Sequence, residues 1–443
     1  MRRLLFIFSF LSLLVVDGKA QEVETLTLED CLRIGIDNNL SLEGKRKEIQ
    51  KSKYGVSENR SKLLPQITVI AGYNNNFDPP VSVTDGSSYG VPYNITKTLQ
   101  HTANAGLEMQ MPLFNQTLYT SMSIAKVMEE ISRLSYGKAR EDIIMQISKM
   151  YYLGQVTAEQ IVLIKANITR LEELRDITQA FFDNGMSMEV DLKRVNINLE
   201  NLKVQYDNAQ AMMKQQLNML KYIMDYPAEK EFVLTPVNTD SITTVALTGL
   251  SENIYELQLS QSQVQLAEKQ KKIISNGYIL SLSLTGSWRY AAYTDKGYHW
   301  FHSGPSNHWF RSYGLGLTLR IPIFDGLDKT YKIKKAMIDI ENRKLAWENA
   351  RKSLQTQYLN AVNDLMNNQR NFKKQKDNYL LAEDVYTVTS DRYREGIASM
   401  TEVLQDEMQM SEAQNNYISA HYNYRITNLM LLKLTGQIES LVK

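Results

Sequence analysis

Two periodicities alternate along the chain. Four short segments place apolar residues at every second position: Ile67–Tyr73, Ala103–Met111 and Tyr313–Ile321 on odd numbers, and Leu280–Trp288 on even ones. A period of two sends apolar and polar side chains to opposite faces of a strand. Each segment is close to the length of about ten residues that a tilted strand needs to cross a bilayer. The polar parity carries Glu108, Arg289 and Arg320, as a face against water would. The pattern predicts strands over about 66–77, 101–111, 279–290 and 313–321. Polar loops containing Gly or Pro, residues 78–98 and 291–312, join them in pairs. A soluble sandwich would show the same alternation. Only four strands are expected in a chain that otherwise reads as helix, which weighs against a sandwich.

The remainder has the spacing of long amphipathic helices. Leu192, Val195, Leu199, Leu202, Tyr206 and Ala209 follow the three-four spacing of a coiled-coil seam, and Leu354, Tyr358, Ala361 and Leu365 continue it later. Helices are expected over about Leu28–Lys62, Thr117–Phe182, Ser187–Met224, Ser251–Ser275, Asp328–Tyr393 and Ser399–Leu434. At 1.5 Å per residue the longest arms would reach on the order of 100 Å.

The chain repeats itself. Met111-Pro112-Leu113-Phe114-Asn115 returns as Ile321-Pro322-Ile323-Phe324-Asp325, and Phe182-Asp183-Asn184-Gly185 as Tyr393-Arg394-Glu395-Gly396. Met188–Leu192 matches Met400–Leu404 with one residue inserted. A period this long is a duplicated domain rather than a solenoid. The division expected is a first repeat at 21–225, a linker at 226–250 and a second repeat at 251–443, with helical hairpins at about 117–225 and 328–434.

Residues 1–20 read as a signal peptide. Arg2 and Arg3 precede the apolar run Leu4–Val16, and Gly18-Lys19-Ala20 offers a cleavage site before Gln21. Cys31, the one cysteine among 443 residues, is too far downstream to be acylated, and no disulfide is available. A net charge of +1 gives no reason to expect nucleic acid. No phosphate loop, zinc-protease or serine-nucleophile motif occurs, so neither an enzyme nor a cofactor is expected. Four strands cannot close a barrel, and an open edge in lipid strands backbone groups at several kcal/mol each. Three copies would supply twelve strands around a lumen.

These features together resemble the TolC-like outer-membrane efflux family. The resemblance rests on the two Pro-Leu-Phe-Asn and Pro-Ile-Phe-Asp-Gly junctions and on the opening Leu26-Thr27-Leu28-Glu29-Asp30-Cys31-Leu32. Leu63-Leu64-Pro65-Gln66-Ile67 and the turns at Gly185 and Gly396 complete it. It implies an α+β membrane protein built from duplicated strand-strand-long-helical-hairpin units. Four transmembrane strands per chain would enter a homotrimeric twelve-stranded barrel, continued by a periplasmic α-helical barrel. It further implies the outer membrane as location and outer-membrane lipid as surroundings. An adaptor protein would dock at the helical tips, and an inner-membrane pump would act through that adaptor.

By the same resemblance the docking residues are Phe182, Asn184, Gly185, Met186, Ser187, Arg394, Gly396, Ile397, Ala398 and Ser399. The entrance candidates are Asp191, Glu402 and Asp406. Glu402 matches the first acidic position of the family's entrance ring. Gln405 occupies the second, and Ala398 stands where the family has a closing arginine. Ser399-Met400-Thr401-Glu402 also reads as a capping box, so gate and cap remain alternatives at Glu402. His299, His302 and His308 lie among aromatic residues and read as a membrane-interface loop before a metal site. Methionines at 186, 188, 400, 408 and 410 read as seam residues before soft-metal ligands. A periplasmic spacer without transport is the rival reading. The cargo is not written in the sequence.

Overall fold

The computed structural model describes residues 24–97, 99–236, 248–294 and 309–442. The signal segment, residues 237–247 of the linker and the three histidines of the second loop lie outside the described residues. In chain order the elements are β1 (Glu24–Leu26), α1 (Leu28–Asn38), α2 (Leu40–Ser61), β2 (Gln66–Asn75), β3 (Val81–Asp85), β4 (Tyr93–Lys97) and β5 (His101–Asn115). Then come α3 (Gln116–Asp183), α4 (Glu189–Met224), β6 (Phe232–Leu234), α5 (Tyr255–Asn276) and β7 (Ser281–Thr294). The chain closes with β8 (Trp309–Arg320), α6 (Asp328–Arg394) and α7 (Met400–Leu434). They form two compact units that cut across the sequence repeats, so each unit takes parts of both.

One unit comprises residues 41–140 and 250–357 and holds the main sheet, antiparallel throughout, in the order β2-β5-β7-β8. Its register sorts side chains by row. Ile67, Met109, Gly286 and Leu315 share one row, and Val69, Leu107, Trp288 and Tyr313 the next apolar one. Between them lie Thr68, Glu108, Ser287 and Gly314, on the opposite face because successive residues alternate. On that polar face Arg289 ion-pairs with Glu108. β2 and β8 are the sheet's two edges.

The repeated Pro-containing motif explains itself here. Proline has no N–H for the ladder, and the β5–β7 register shifts between Pro112 and Phe114, a bulge. β5 then passes directly into α3. The Asn115 side-chain oxygen accepts from the Thr117 and Leu118 amides at 3.0 and 3.4 Å, capping the helix. At the second junction Asp325 accepts from the Lys329 amide at 3.2 Å and from its ammonium at 3.0 Å.

The expectation of only four strands needs correcting. The first loop, read as unstructured, contains the hairpin β3–β4, and β1 pairs with β6 in a parallel two-stranded sheet. Val81, Val83, Tyr93 and Ile95 favour extended backbone, but five residues a side are too short to stand out. The helix expected over 28–62 is two helices. Asn39 leaves helical geometry (ψ 118°) and its side-chain Nδ2 donates to the Ile223 carbonyl at 2.8 Å.

The other unit comprises residues 24–40, 141–236, 248–249 and 358–442 of the described chain. α1 opens with a capping box between Thr27 and Asp30 and buries Cys31, Leu32 and Ile36. Burial pushes the Cys31 thiol up to about 12, so it serves as apolar filling rather than as a nucleophile. Tyr151 donates to the Leu26 carbonyl at 3.2 Å and also bonds Thr235, tying the short parallel sheet to α3.

The buried face of α7 is a strict heptad seam. Met400, Val403, Glu407, Met410, Gln414, Tyr417, His421, Tyr424, Asn428 and Leu431 follow at alternating steps of three and four, and all are buried. One set of seam positions, spaced by seven, reads Met400, Glu407, Gln414, His421, Asn428. Four of these five are polar. Buried polar groups need partners. Gln414 exchanges hydrogen bonds with Asn167 at 2.7 and 3.4 Å, and His421 accepts from Arg425 at 2.9 Å. Phe372 stacks on His421 at 4.8 Å and on Tyr417 and Tyr424 at 5.8 Å each.

One glycine tests the sheet. A Cβ on Gly106 would meet the Trp288 carbonyl oxygen at 2.5 Å and the Arg289 Cα at 2.9 Å, both backbone. Gly106→Ala should therefore destabilise the β5–β7 pairing by roughly 1–3 kcal/mol. Gly314→Ala, which meets nothing within 4 Å, should be near neutral. The temperature at which the folded species is lost on electrophoresis distinguishes the two, and equal losses would refute the close approach.

Candidate functional site at the two helical turns

α3 and α6 end in the same way. Gly185 and Gly396 take φ of 74° and 76°, the left-handed region where glycine is favoured. The Met186 amide returns to the Phe181 carbonyl at 2.8 Å, and the Ile397 amide to the Arg392 carbonyl at 2.8 Å. Both are Schellman closures. Three residues beyond each glycine stands the N-cap of the next helix: Met188 before α4 and Ser399 before α7. The turns therefore match residue for residue, and the inserted residue inferred from sequence is absent. That alignment followed the methionines, whereas backbone geometry pairs Met188 with Ser399.

This pairing gives Asp191 and Glu402 the same helical position with different duties. Glu402 completes a capping box: the Ser399 amide donates to its carboxylate at 3.0 Å, and its own amide donates to the Ser399 hydroxyl at 3.3 Å. Met188 offers no acceptor, so Asp191 instead pairs with Arg194 at 3.2 Å. Arg194 also donates to the Thr401 hydroxyl at 3.4 Å, linking the two hairpins. Asp406 lies one turn beyond Glu402, half-buried.

The turns border a cleft of about 690 Å³, lined among others by Met186, Ser187, Arg194, Tyr393, Arg394 and Ala398. Around it Phe182, Met186, Met188, Val190 and Ile397 are exposed apolar side chains. Asn184 is spent on its own helix, donating to the Ala180 carbonyl at 2.7 Å. Arg394 pairs with Asp391 at 3.3 Å and Glu173 at 3.5 Å. The Ser187 hydroxyl is buried without a partner. Beneath the cleft Tyr393 packs on Phe181 with ring centres 5.7 Å apart, and its hydroxyl meets Thr178 at 3.3 Å.

Sequence reasoning overlooked Glu407 and Arg170. Glu407 is 4% exposed, and one of its carboxylate oxygens has no partner. Burial pushes its carboxyl above the ordinary carboxylate range, and the Arg170 guanidinium partly opposes that. Arg170 itself pairs with Glu383 at 3.1 Å and donates to Asn167 at 2.8 Å. The signal was present in the seven-residue spacing of polar residues along α7, which a search for apolar seams passes over.

The family model described as outer membrane efflux protein matches residues 34–224 and 249–437. The chain belongs to that family. The outer membrane protein TolC of Vibrio cholerae is 21% identical over 396 residues, covering 86% of this chain and 84% of its own. The probable efflux pump outer membrane protein TtgC of Pseudomonas putida is 23% identical over 382 residues, covering 81% and 75%. Among solved structures, the open state of the Neisseria gonorrhoeae MtrE outer membrane channel aligns with a TM-score of 0.74 at 18% identity, covering 92% and 88%. The outer membrane protein VceC of Vibrio cholerae gives 0.73 at 14%, covering 92% and 96%. Like the other members of the outer membrane efflux protein family, this chain is an outer-membrane protein.

Two outcomes follow from the turns. Ser399→Ala should cost about 1 kcal/mol, and Met188→Ser should gain a similar amount, because Met188 already has cap geometry and Asp191 stands ready to complete a box. Denaturant midpoints of the two variants should move in opposite directions; a shift of both downward would refute the equivalence.

The second outcome concerns Glu407. Its carboxyl keeps a proton in the fold to higher pH than in the unfolded chain, so this contribution to stability falls as pH rises from about 4.3 through the raised native value. Glu407→Gln should flatten that fall, read as hydrogen-exchange protection of α7 against pH. An unchanged slope would show that Glu407 does not carry it.

Proposed function

We propose that this chain is the outer-membrane exit duct of a tripartite efflux pump or type I secretion system. It would pass small molecules or proteins, without chemistry of its own, from a periplasmic adaptor and inner-membrane pump to the exterior. The supporting observation is the four-stranded sheet with two unpaired edges, one apolar face and one polar face. Its edges need partners in hydrocarbon. Three copies bring twelve strands, enough to enclose a lumen lined by Thr68, Glu108, Arg289 and Thr318. A spacer without transport has no use for a polar inner face carrying an ion pair, and this favours the duct.

On the same reading the turns at Gly185 and Gly396 present Met186 and Ile397 to the adaptor, with the intervening cleft receiving it. Phe182, Asn184, Ser187, Arg394, Ala398 and Ser399 form the surrounding surface. At the entrance, threefold symmetry multiplies any inward carboxylate into a ring that favours cations. Glu402 uses one oxygen in its capping box, and Asp406, one turn further along α7, is the second candidate. Asp191 is neutralised by Arg194.

The experiment is single-channel recording of the purified protein in planar bilayers. Leu317→Arg, on the lipid face, should cost roughly 2–4 kcal/mol and remove the heat-stable trimer, whereas Thr318→Arg should assemble and alter conductance. Glu402→Gln keeps the cap and should lower cation preference. No conductance from the wild-type protein, or equal loss of trimer in both arginine variants, would refute the duct.

A further inference from the structure

The apolar face of the sheet is not uniform. In the row Ile67–Met109–Gly286–Leu315 the glycine leaves a gap, and an open apolar groove of about 500 Å³ runs past it, bordered also by Leu107 and Trp288. Two rows toward the strand end remote from the helices, Arg311 stands on this same face. Its guanidinium lies 5.8 Å from the Tyr313 ring centre, and among the described residues it has no carboxylate partner. Around it the face is aromatic: Trp288 and Tyr290 meet edge-on at 5.5 Å. Aromatic side chains at this level mark the boundary between hydrocarbon and headgroups. Arg311 and Leu315 are four residues apart, about 13 Å at 3.3 Å per residue. The face thus offers a cation at headgroup depth and an apolar slot one acyl chain below it.

We infer that this face carries a specific lipid site in which Arg311 binds a phosphate of an outer-leaflet glycolipid and the Gly286 groove holds one of its acyl chains. The choice of leaflet rests on the duct reading, since β8 leads into α6 at its other end and the helices then lie in the periplasm. A guanidinium donates several hydrogen bonds to phosphate, and a low-dielectric setting strengthens them. A zwitterionic phospholipid satisfies the cation less well, because its own ammonium competes for the phosphate.

The test uses the full-length assembled protein, delipidated in detergent and titrated with bisphosphorylated lipid A or with phosphatidylethanolamine, bound lipid being counted by native mass spectrometry. Lipid A should bind at one per chain and be preferred. Arg311→Gln and Gly286→Leu should each weaken it on the order of tenfold, Arg311→Lys less so, and Thr318→Ala on the opposite face not at all. A Cβ at Gly286 meets side-chain atoms of Leu315 and Met109, the nearest being their ends at 3.2 and 3.3 Å, so the groove fills against side chains rather than backbone; Gly286→Ala serves as the milder variant. Equal retention of both lipids, or wild-type retention by the Arg311 and Gly286 variants, would overturn the site. Conductance of the same preparation keeps the two readings apart. Selective lipid binding without conductance refutes the duct alone, and conductance with unselective binding refutes the lipid site alone.

Discussion

A sheet that ends inside a hydrocarbon layer leaves a row of N–H and C=O groups with nothing to bond, and the rest of the molecule is arranged around that constraint. On the duct reading β2 and β8 are such edges, with nearly every residue exposed. Among the described residues no further strand pairs with either edge. On the duct reading, pairing them with further copies would satisfy both edges without a new element. The same constraint accounts for the abrupt junctions. On the same reading a strand that leaves the bilayer has to settle its backbone groups at once, and β5 bulges at Pro112 and enters a helix capped by Asn115.

The helical unit meets a different requirement. Coiled seams packed only with aliphatic side chains tolerate several registers. α7 avoids this by placing Glu407, Gln414, His421 and Asn428 at every seventh position. Each polar residue costs burial, and Gln414 is matched across the seam by Asn167, while Glu407 lies near the Arg170 guanidinium. Stability is given up in return for one alignment of the hairpins, and that alignment brings the two glycine turns side by side around a shared cleft.

Much of this was legible in the sequence. The four long strands, the long helices and both glycine turns declared themselves through period-two alternation, heptad spacing and repeated junctions. The family inferred from those junctions is the family the chain matches. What was missed has physical causes. Three residues of β1 or β6 are too few to show a period, and their pairing joins positions about two hundred residues apart. The β3–β4 hairpin sits in a stretch whose Pro and Gly residues read as loop. Asn39 breaks a helix through a bond to a distant carbonyl, with no proline or glycine to announce it. The equivalence of Met188 and Ser399 was hidden because matching side chains pointed to the wrong alignment.

The polar layers of α7 also limit how that helix can move. A slide of three or four residues along its neighbours would part Gln414 from Asn167 and carry Glu407 away from Arg170. The next arrangement that restores polar against polar is a full heptad away, about 10.5 Å at 1.5 Å per residue. Small axial creep is thus excluded and so, in practice, is any graded telescoping of the hairpin. What remains available is rotation about the seam or spreading of its end, motions that keep each layer opposite its partner. The helix is in effect held along its axis by its own polar layers, like a toothed rack, while its end stays free to spread.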